Sequence, residues 1–256
     1  MSGAEKIVVI TGAGSGIGEA LAVGFASDGA SVVGFGRREA SLESTAEKCD
    51  GRMISVPGDV TSEEDVDCLV ATAMDRFGRI DVLINNAGIH GGGKLIDRKF
   101  ADWAKVIEIN LTGLALCTHR VLPKMMGGGY GRIINVASRA AESIAPRTTA
   151  YASSKAGVIT FTKTVAREVD RERYPDILIN SIIPGQCITE MAPNHTVEEG
   201  WREPDFVYPH TRFIVDLPSG GPTGRIFFDS EDYAMYQSRT RQVEGNVVGI
   251  DFNRQV

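Results

Sequence analysis

The chain has little cysteine and no obvious metal-binding pattern. Its four cysteines, Cys49, Cys68, Cys117 and Cys187, are far apart, with no Cys-x-x-Cys pair and no histidine pairing nearby. This spacing favours reduced, structural thiols over disulfides or a zinc site. The sequence therefore predicts a protein that needs no metal.

The chain also has no basic surplus and no long apolar run. The formal net charge is −6, with acidic and basic residues interspersed, which gives no basic surface of the kind that nucleic acid or an anionic membrane requires. No apolar run approaches the roughly 20 residues of a membrane span. A strand-like run begins directly after Lys6, which leaves no room for a signal peptide. We therefore expect a cytoplasmic protein without nucleic-acid or membrane partners.

Seven short apolar runs alternate with helical patterns along the 256 residues. The runs that predict strands are Lys6–Ile10, Ser31–Phe35, Met53–Val56, Ile80–Ile84, Arg132–Val136, Ile177–Ile183 and Arg225–Phe228. The patterns that predict helices are Glu19–Ser27, Ala40–Cys49, Glu63–Phe77, Trp103–Met126 and Tyr151–Glu172. This alternation predicts one Rossmann-type, doubly wound, seven-stranded parallel sheet with helices on both faces.

A glycine-rich turn, Thr11–Gly18, joins the first strand to the first helix. Gly12 permits a tight turn, Gly16 lets the backbone approach a pyrophosphate, and Gly18 lets the helix pack close to the strand. The helix N-terminus would then hold the anion. No lysine follows these glycines, which disfavours ATP or GTP hydrolysis. The alternative is a glycine-rich turn without a ligand.

The end of the second strand bears on the choice of cofactor. An acidic residue there would bind the ribose of NAD, whereas an arginine favours the 2′-phosphate of NADP. The acidic position is taken by Gly36, and Arg37 and Arg38 follow it. Since arginine pairs well with phosphate, we predict NADP bound through Arg37, with NAD as the alternative. Arg38 could instead be a surface residue that opens the next helix.

Polar residues follow other strands too. Asp59 could accept a hydrogen bond from the adenine amino group or could serve as a turn aspartate, with Thr61 or Ser62 as N-cap of the next helix. His90 could touch the substrate, or it could be a solvated loop histidine. Asn110 lies between apolar neighbours in a helical pattern and needs a partner or a water.

Tyr151 and Lys155 are four residues apart in a predicted helix and so lie on one face of it. A free phenol titrates near about 10, and a nearby ammonium can lower that pKa by roughly 1–3 units. A tyrosine so placed can exchange a proton at working pH. The pattern alone also arises by chance, with a solvated lysine beside a packed ring.

Several motifs in this order resemble the short-chain dehydrogenases/reductases, over about Lys6 to Asp229. They are Thr11–Gly18, Asn85-Asn86-Ala87-Gly88, Asn110, Ser138, Tyr151-x-x-x-Lys155 and Pro184-Gly185. The stretch Leu217–Phe228 is similar to carbonyl-reductase-like members. The resemblance implies an oxidoreductase that transfers a hydride between NADP and a small carbonyl or secondary-alcohol substrate.

The resemblance also implies residue roles. Tyr151 would be the general acid or base, and Ser138 would hold the substrate oxygen. Lys155 would lower the Tyr151 pKa and bind the nicotinamide ribose, and Asn110 would hold a relay water. The residues implied in cofactor binding are Gly12, Ser15, Gly16, Ile17, Gly18, Arg37, Asp59, Val60, Asn86, Ala87, Gly88, Tyr151, Lys155, Pro184, Gly185, Ile188 and Thr189.

The chain departs from the family at its C-terminal side. Residues 190–213 suggest either a short aromatic lid or a segment packed against the sheet, and the usual Val-Asp-Gly-Gly ending is replaced by Phe227-Phe-Asp-Ser-Glu-Asp232. We predict a domain at 1–229 and a tail of unknown role at 230–256. By analogy, a homodimer or homotetramer is expected. The alternatives are an NAD-dependent alcohol dehydrogenase, a non-catalytic NADP-sensing regulator, and an epimerase or dehydratase acting on a nucleotide sugar, which would need a further substrate domain.

Overall fold

A computed structural model of the protein describes residues 5–143, 145–234, 241–243 and 246–248. The strands are β1 (Ile7–Thr11), β2 (Ser31–Gly36), β3 (Met53–Pro57), β4 (Val82–Asn85), β5 (Gly131–Val136), β6 (Ile177–Ile183), β7 (Ile226–Phe228), β8 (Glu231–Asp232), β9 (Arg241–Val243) and β10 (Asn246–Val248). The helices are α1 (Gly16–Ser27), α2 (Glu39–Glu47), α3 (Glu63–Phe77), α4 (Phe100–Ile107), α5 (Leu114–Gly128), α6 (Thr149–Glu168) and α7 (Val207–Val215).

The first eight strands form one sheet in the order β3-β2-β1-β4-β5-β6-β7-β8. Strands β1 to β7 are parallel, which confirms the predicted doubly wound fold. The short β8 adds an antiparallel edge to β7 that the sequence analysis did not predict. Asp229 and Ser230 have φ values of 50° and 63° between these two strands, as tight hairpin turns require.

The apolar strands are covered on both faces by helices. In β1, Val8 and Ile10 pack on the side of α1, α2 and α7, whereas Val9 packs on the side of α3, α5 and α6. Side chains alternate across a strand, so a continuous apolar run supplies both cores. Strands β1 and β4 are neighbours, and the strand order reverses between them. A crevice therefore opens between their carboxyl ends.

Two helical predictions need correction. The helix predicted to run to Glu172 ends at Glu168, because Asp170 accepts hydrogen bonds from the backbone N–H groups of Glu172 (3.0 Å) and Arg173 (3.2 Å). Such bonds offer the backbone an alternative to the helix. The single helix predicted over Trp103–Met126 is interrupted by a π segment, Glu108–Gly113.

The division into a 1–229 domain and a 230–256 tail stays a prediction. Most of that tail lies outside the described residues, and β9 pairs with β10 in an antiparallel ladder. Among the described residues, no helix combines the length and apolarity needed to cross a membrane.

Candidate active site

A cavity of about 1150 Å³ opens at the crevice between β1 and β4. Segments that follow β1, β2, β3, β4, β5 and β6 line it, as expected for the carboxyl edge of a parallel sheet. The predicted site residues that line it are Gly12, Ser15, Gly16, Ile17, Arg37, Asp59, Val60, Asn86, Ala87, Gly88, Ser138, Tyr151, Lys155, Pro184, Gly185 and Thr189. Gly18, Asn110 and Ile188 are not part of this lining.

The glycine-rich turn has the geometry that its predicted roles require. Gly12 and Gly16 have φ values of 67° and 55°, a region that residues with a side chain rarely adopt. A Cβ atom on Gly18 would lie 2.0 Å from the Gly12 carbonyl oxygen, so only glycine lets α1 begin this close to β1. The Ser15 side chain does not cap α1, which leaves the first-turn N–H groups for an anion.

Hydrogen bonds tie the segment after β4 to this turn. The Thr11 hydroxyl accepts from the N–H groups of Asn86 (3.0 Å) and Ala87 (3.1 Å). The Asn86 side-chain amide donates to the carbonyl oxygens of Thr11 (3.0 Å) and Gly12 (3.2 Å). These hydrogen bonds fix the segment after β1 and the segment after β4 relative to each other at the floor of the crevice.

Arg37 and Arg38 lie at the cavity edge, after β2. Arg37 is exposed and follows Gly36, so no acidic side chain occupies the position that would bind the ribose of NAD. Arg38 precedes α2 as its N-cap residue, in agreement with the alternative considered for it. Its guanidinium also reaches across the cavity, to Ser15 and to Glu190.

Asp59 forms the turn that was one of its two predicted roles. Its carboxylate accepts from the backbone N–H (3.0 Å) and hydroxyl (2.9 Å) of Thr61. Ser62 is the N-cap of α3, and its hydroxyl accepts from the Asp65 N–H at 3.2 Å. Asp59 also lines the cavity, so the turn and a contact with adenine are compatible.

Tyr151 and Ser138 come together from α6 and from the end of β5. The Ser138 hydroxyl lies in hydrogen-bonding reach of the Tyr151 hydroxyl, and its oxygen accepts from the Ala140 N–H at 3.1 Å. The Ala140 N–H uses one acceptor site of that oxygen, and the Ser138 hydroxyl keeps its proton as a donor. The pair can therefore hold and protonate one substrate oxygen.

Lys155 lies one helical turn after Tyr151 and is buried. Its Nζ atom donates to the Val136 carbonyl oxygen at 2.6 Å and lies 5.7 Å from the centre of the Tyr151 ring. Burial lowers the pKa of Lys155 to about 8, because a low-dielectric environment disfavours the charged form. The lysine is thus fixed by the strand that also leads to Ser138.

The expected lowering of the Tyr151 pKa does not prevail in this structure. Burial raises the pKa of Tyr151, and the hydrogen bond with Ser138 only partly opposes it. Lys155 makes its hydrogen bond to Val136 and not to the phenol. The sequence pattern identified the neighbouring cation correctly but could not show how deeply the ring is buried.

Asn110 has the partner that its position in an apolar helix requires. Its side chain accepts from the Ile89 N–H at 2.8 Å and donates to the Ile89 carbonyl oxygen at 2.9 Å. It also donates to the Ser154 hydroxyl at 3.0 Å, which in turn donates to the Tyr151 carbonyl oxygen at 2.7 Å. Asn110 sits in the π segment, a feature found frequently at functional sites. Its role in holding a relay water stays a prediction.

His90, His195 and Trp201 line the cavity, although the sequence indicated them only weakly as site residues. His90 packs against Tyr151, with ring centres 4.8 Å apart, so its ring is in contact with the phenol ring. Within residues 190–213, the rings of His195 and Trp201 stack at 3.7 Å and both line the cavity. The position of His90 two residues after the Asn85–Gly88 motif was the available signal for it.

The fold is a parallel doubly wound sheet with a glycine-rich turn at its switch point. A cluster of tyrosine, serine and lysine lies at the same edge. Together these features define a dinucleotide-dependent oxidoreductase. The family profile described as short chain dehydrogenase matches residues 6–200. The chain belongs to the short-chain dehydrogenase family.

Proteins similar to this chain include curated reductases and dehydrogenases. The 3-oxoacyl-[acyl-carrier-protein] reductase of Synechocystis is 35% identical over 235 residues, which cover 87% of this chain and 94% of the relative. The (2S)-[(R)-hydroxy(phenyl)methyl]succinyl-CoA dehydrogenase subunit BbsD of Thauera aromatica is 34% identical over 240 residues, 88% of this chain and 94% of the relative.

Two solved structures have closely similar folds. Actinorhodin polyketide ketoreductase with NADPH superposes with a TM-score of 0.80 at 29% identity, covering 88% of this chain and 95% of that chain. The 3-ketoacyl-(acyl-carrier-protein) reductase of Brucella melitensis, complexed with NADH, has a TM-score of 0.80 at 29% identity, covering 87% and 96%. Neighbours therefore include complexes with either nicotinamide cofactor.

Proposed function

We propose that the protein is an NADP-dependent oxidoreductase that interconverts a carbonyl compound and a secondary alcohol. The observation that carries the proposal is the convergence of Tyr151, Ser138 and Lys155 at the edge of a dinucleotide-sized crevice. The similar proteins named as ketoreductases and 3-oxoacyl reductases support carbonyl reduction. A metal is not part of the proposal.

Each residue of the cluster has a defined task. In reduction, Tyr151 donates its phenolic proton to the substrate oxygen, and in oxidation the phenolate takes the proton back. Ser138 donates a hydrogen bond to the same oxygen and fixes its position. Lys155 supplies a positive charge behind the phenol and a donor for the ribose. Asn110 fixes Ile89, and hence the segment that leads to His90, against the π segment.

The cavity fits a dinucleotide. The turn at Gly12–Gly18 offers uncapped N–H groups to a pyrophosphate, and Asn86–Gly88 would lie along the cofactor. Asp59 and Val60 would lie near the adenine. Ile188 and Thr189 would approach the carboxamide and the phosphates, and Pro184 and Gly185 would line the cleft between them. NADP supplies or accepts the hydride when it is bound. The remaining steps, orientation and proton transfer, fall to the protein.

A panel of carbonyl substrates tests this function. Purified protein is mixed with NADPH and with ketones, aldehydes and 3-oxoacyl thioesters, and the loss of NADPH absorbance is followed. The thioesters are included because two of the similar proteins are named as 3-oxoacyl or 3-ketoacyl reductases. We expect turnover on at least one carbonyl class. Tight NADPH binding without turnover on any carbonyl would favour the non-catalytic regulator instead.

The substitution Arg37→Ala tests the choice of cofactor. We expect KM for NADP to rise about tenfold, because a hydrogen bond to a charged group contributes on the order of 1.5 kcal/mol, whereas KM for NAD changes little. Steady-state kinetics with each cofactor measure the two effects. Arg76→Ala removes an exposed cation from α3, outside the cavity lining, and serves as the matched control. Equal effects of Arg37→Ala on both cofactors would contradict a phosphate contact.

A cytoplasmic location and assembly as a homodimer or homotetramer stay predictions from the sequence. The proposed substrate is a small molecule, in line with the family. The first part of residues 190–213 borders the cavity with Met191, Pro193, His195 and Trp201, which supports a lid there. The last part forms α7, in which Val207 and Thr211 are buried, in line with the alternative of packing against the sheet.

A further inference from the structure

Arg38 connects three separate segments across the mouth of the cavity. Its Nη2 atom donates to the Ser15 hydroxyl at 3.0 Å and to Glu190 Oε2 at 2.8 Å. Its Nη1 atom donates to Glu190 Oε1 at 3.2 Å. The guanidinium therefore binds the carboxylate with both branches, although the two residues are 152 positions apart in the chain.

Glu190 is the first residue of the lid, and the lid begins against the glycine-rich turn. A Cβ atom on Gly16 would lie 3.1 Å from Thr189 Cγ2, so the segment after β6 is in close contact with that turn. The Arg38–Glu190 ion pair joins the same segment to the residues that follow β2. At the edge where a dinucleotide would enter, the Arg38–Glu190 ion pair holds the base of the lid, and Arg202 holds it elsewhere through an ion pair with Asp229.

In this contact the Arg38 guanidinium is an anion-binding group, and the Glu190 carboxylate is the anion that it already binds. A guanidinium fork recognises a carboxylate and a phosphate by the same two parallel hydrogen bonds. Arg38 directly follows Arg37, the residue assigned to the cofactor phosphate. A phosphate that binds beside Arg37 must therefore compete with the Glu190 carboxylate for the Arg38 guanidinium. The negative charge of Glu190 also repels the phosphate.

We propose that Glu190 is a specificity-determining residue, which Arg38 releases in exchange for the 2′-phosphate of NADP. This inference rests on the proposed use of NADP. NAD carries no phosphate at that position and leaves the Arg38–Glu190 pair closed. The first residue of the lid is therefore freed by one cofactor and retained by the other.

The expected size of the effect follows from the exposure of the pair. The side chains of Arg38 and Glu190 are 56% and 64% exposed, and exposed ion pairs shift an equilibrium by up to about fivefold. Removing the competing carboxylate should therefore strengthen phosphate binding by roughly three- to fivefold. A larger change would indicate more than the loss of one exposed pair.

Binding of two nucleotides that differ only in the 2′-phosphate measures this competition. Adenosine 2′,5′-bisphosphate and adenosine 5′-monophosphate are titrated calorimetrically into the wild-type chain, Glu190→Gln and Glu198→Gln. We expect Glu190→Gln to bind the bisphosphate about three- to fivefold more tightly and the monophosphate unchanged. Glu198 is an exposed lid carboxylate without an ion pair among the described residues, so Glu198→Gln controls for net charge.

A second readout follows the lid directly. Trp201 lies in the lid and lines the cavity, and a Trp103→Phe background leaves it as the only tryptophan of the two in the chain. We expect the bisphosphate, but not the monophosphate, to change Trp201 emission. In Glu190→Gln the emission without ligand should already resemble that of the bisphosphate complex.

The outcomes separate this inference from the proposed cofactor. Equal tightening of both nucleotides by Glu190→Gln, or no tightening, would overturn the exchange at Arg38. If the wild-type chain binds both nucleotides equally, the proposed NADP preference fails. A selective gain for the bisphosphate in Glu190→Gln would still establish Glu190 as a competitor for the phosphate.

Discussion

Replacing Tyr151 with phenylalanine is expected to lower kcat by about 10²–10⁴-fold, the usual contribution of a positioned proton donor. The phenol hydroxyl lies next to the Ser138 hydroxyl at the cavity edge. Phenylalanine keeps the ring that packs against His90 and removes the hydroxyl group with its proton. The affinity for NADPH should therefore change little, and the loss should appear in kcat rather than in cofactor binding.

Tyr174→Phe provides the matched control, because Tyr174 packs against Arg173 and is not part of the cavity lining. This variant should retain wild-type turnover and wild-type cofactor affinity. Calorimetry with NADPH and steady-state kinetics give the two quantities for each variant. Turnover within a few-fold of wild type in Tyr151→Phe would exclude the phenol as the proton donor.

The sequence predicted the edge of the sheet where these residues meet. Apolar runs located seven strands, and polar or small residues directly after several of them predicted a shared ligand crevice. Gly12, Asn86 and Tyr151 are far apart in the chain, yet the parallel topology brings all three to one cavity. The residues converge because the carboxyl ends of parallel strands share an edge whatever lies between them, and ligand binding there stays a prediction.

The features that the sequence did not reveal depend on contacts between distant segments. Arg38 resembles an exposed residue that opens a helix until β6 brings Glu190 to it. The π segment around Asn110 coincides with side-chain hydrogen bonds to Ile89, which no helical periodicity displays. The raised pKa of Tyr151 depends on how the surrounding segments bury the ring, and sequence spacing records only its neighbour Lys155.

Replacing Lys155 with methionine is expected to slow alcohol oxidation at neutral pH by roughly 10–10³-fold. Oxidation requires the phenolate of Tyr151, and burial already raises the pKa of that phenol. The Lys155 ammonium lies 5.7 Å from the ring centre, a distance at which a unit charge contributes on the order of 3 kcal/mol at an effective dielectric constant of about 20. Removing it should raise the Tyr151 pKa further.

The variant should remain folded. Lys155 is buried, and burial is the cause of its lowered pKa, with no acidic partner contributing among the described residues. A buried ammonium without a carboxylate partner costs stability. Methionine has a similar length and carries no charge, so it removes this cost. The substitution also leaves no carboxylate without its partner. Thermal unfolding of the variant and of the wild-type chain checks this before kinetics are compared.

The pH dependence of oxidation distinguishes an electrostatic role of Lys155 from a structural one. Below the Tyr151 pKa, the phenolate fraction rises tenfold per pH unit, so a higher pKa shifts the rising limb of the profile to higher pH. Lys155→Met should therefore recover rate as the pH is raised, whereas Tyr151→Phe should not.

The charge state of Lys155 adds a second expectation. The pKa of Lys155 is about 8, so the wild-type ammonium carries its charge below that pH and loses it above. The advantage of the wild-type chain over Lys155→Met should accordingly be largest below about pH 8 and shrink above it. A variant whose limb stays at the wild-type position, with a uniformly lower rate, would show that Lys155 acts by holding the ribose or the Val136 end of β5 and not through its charge on the phenol.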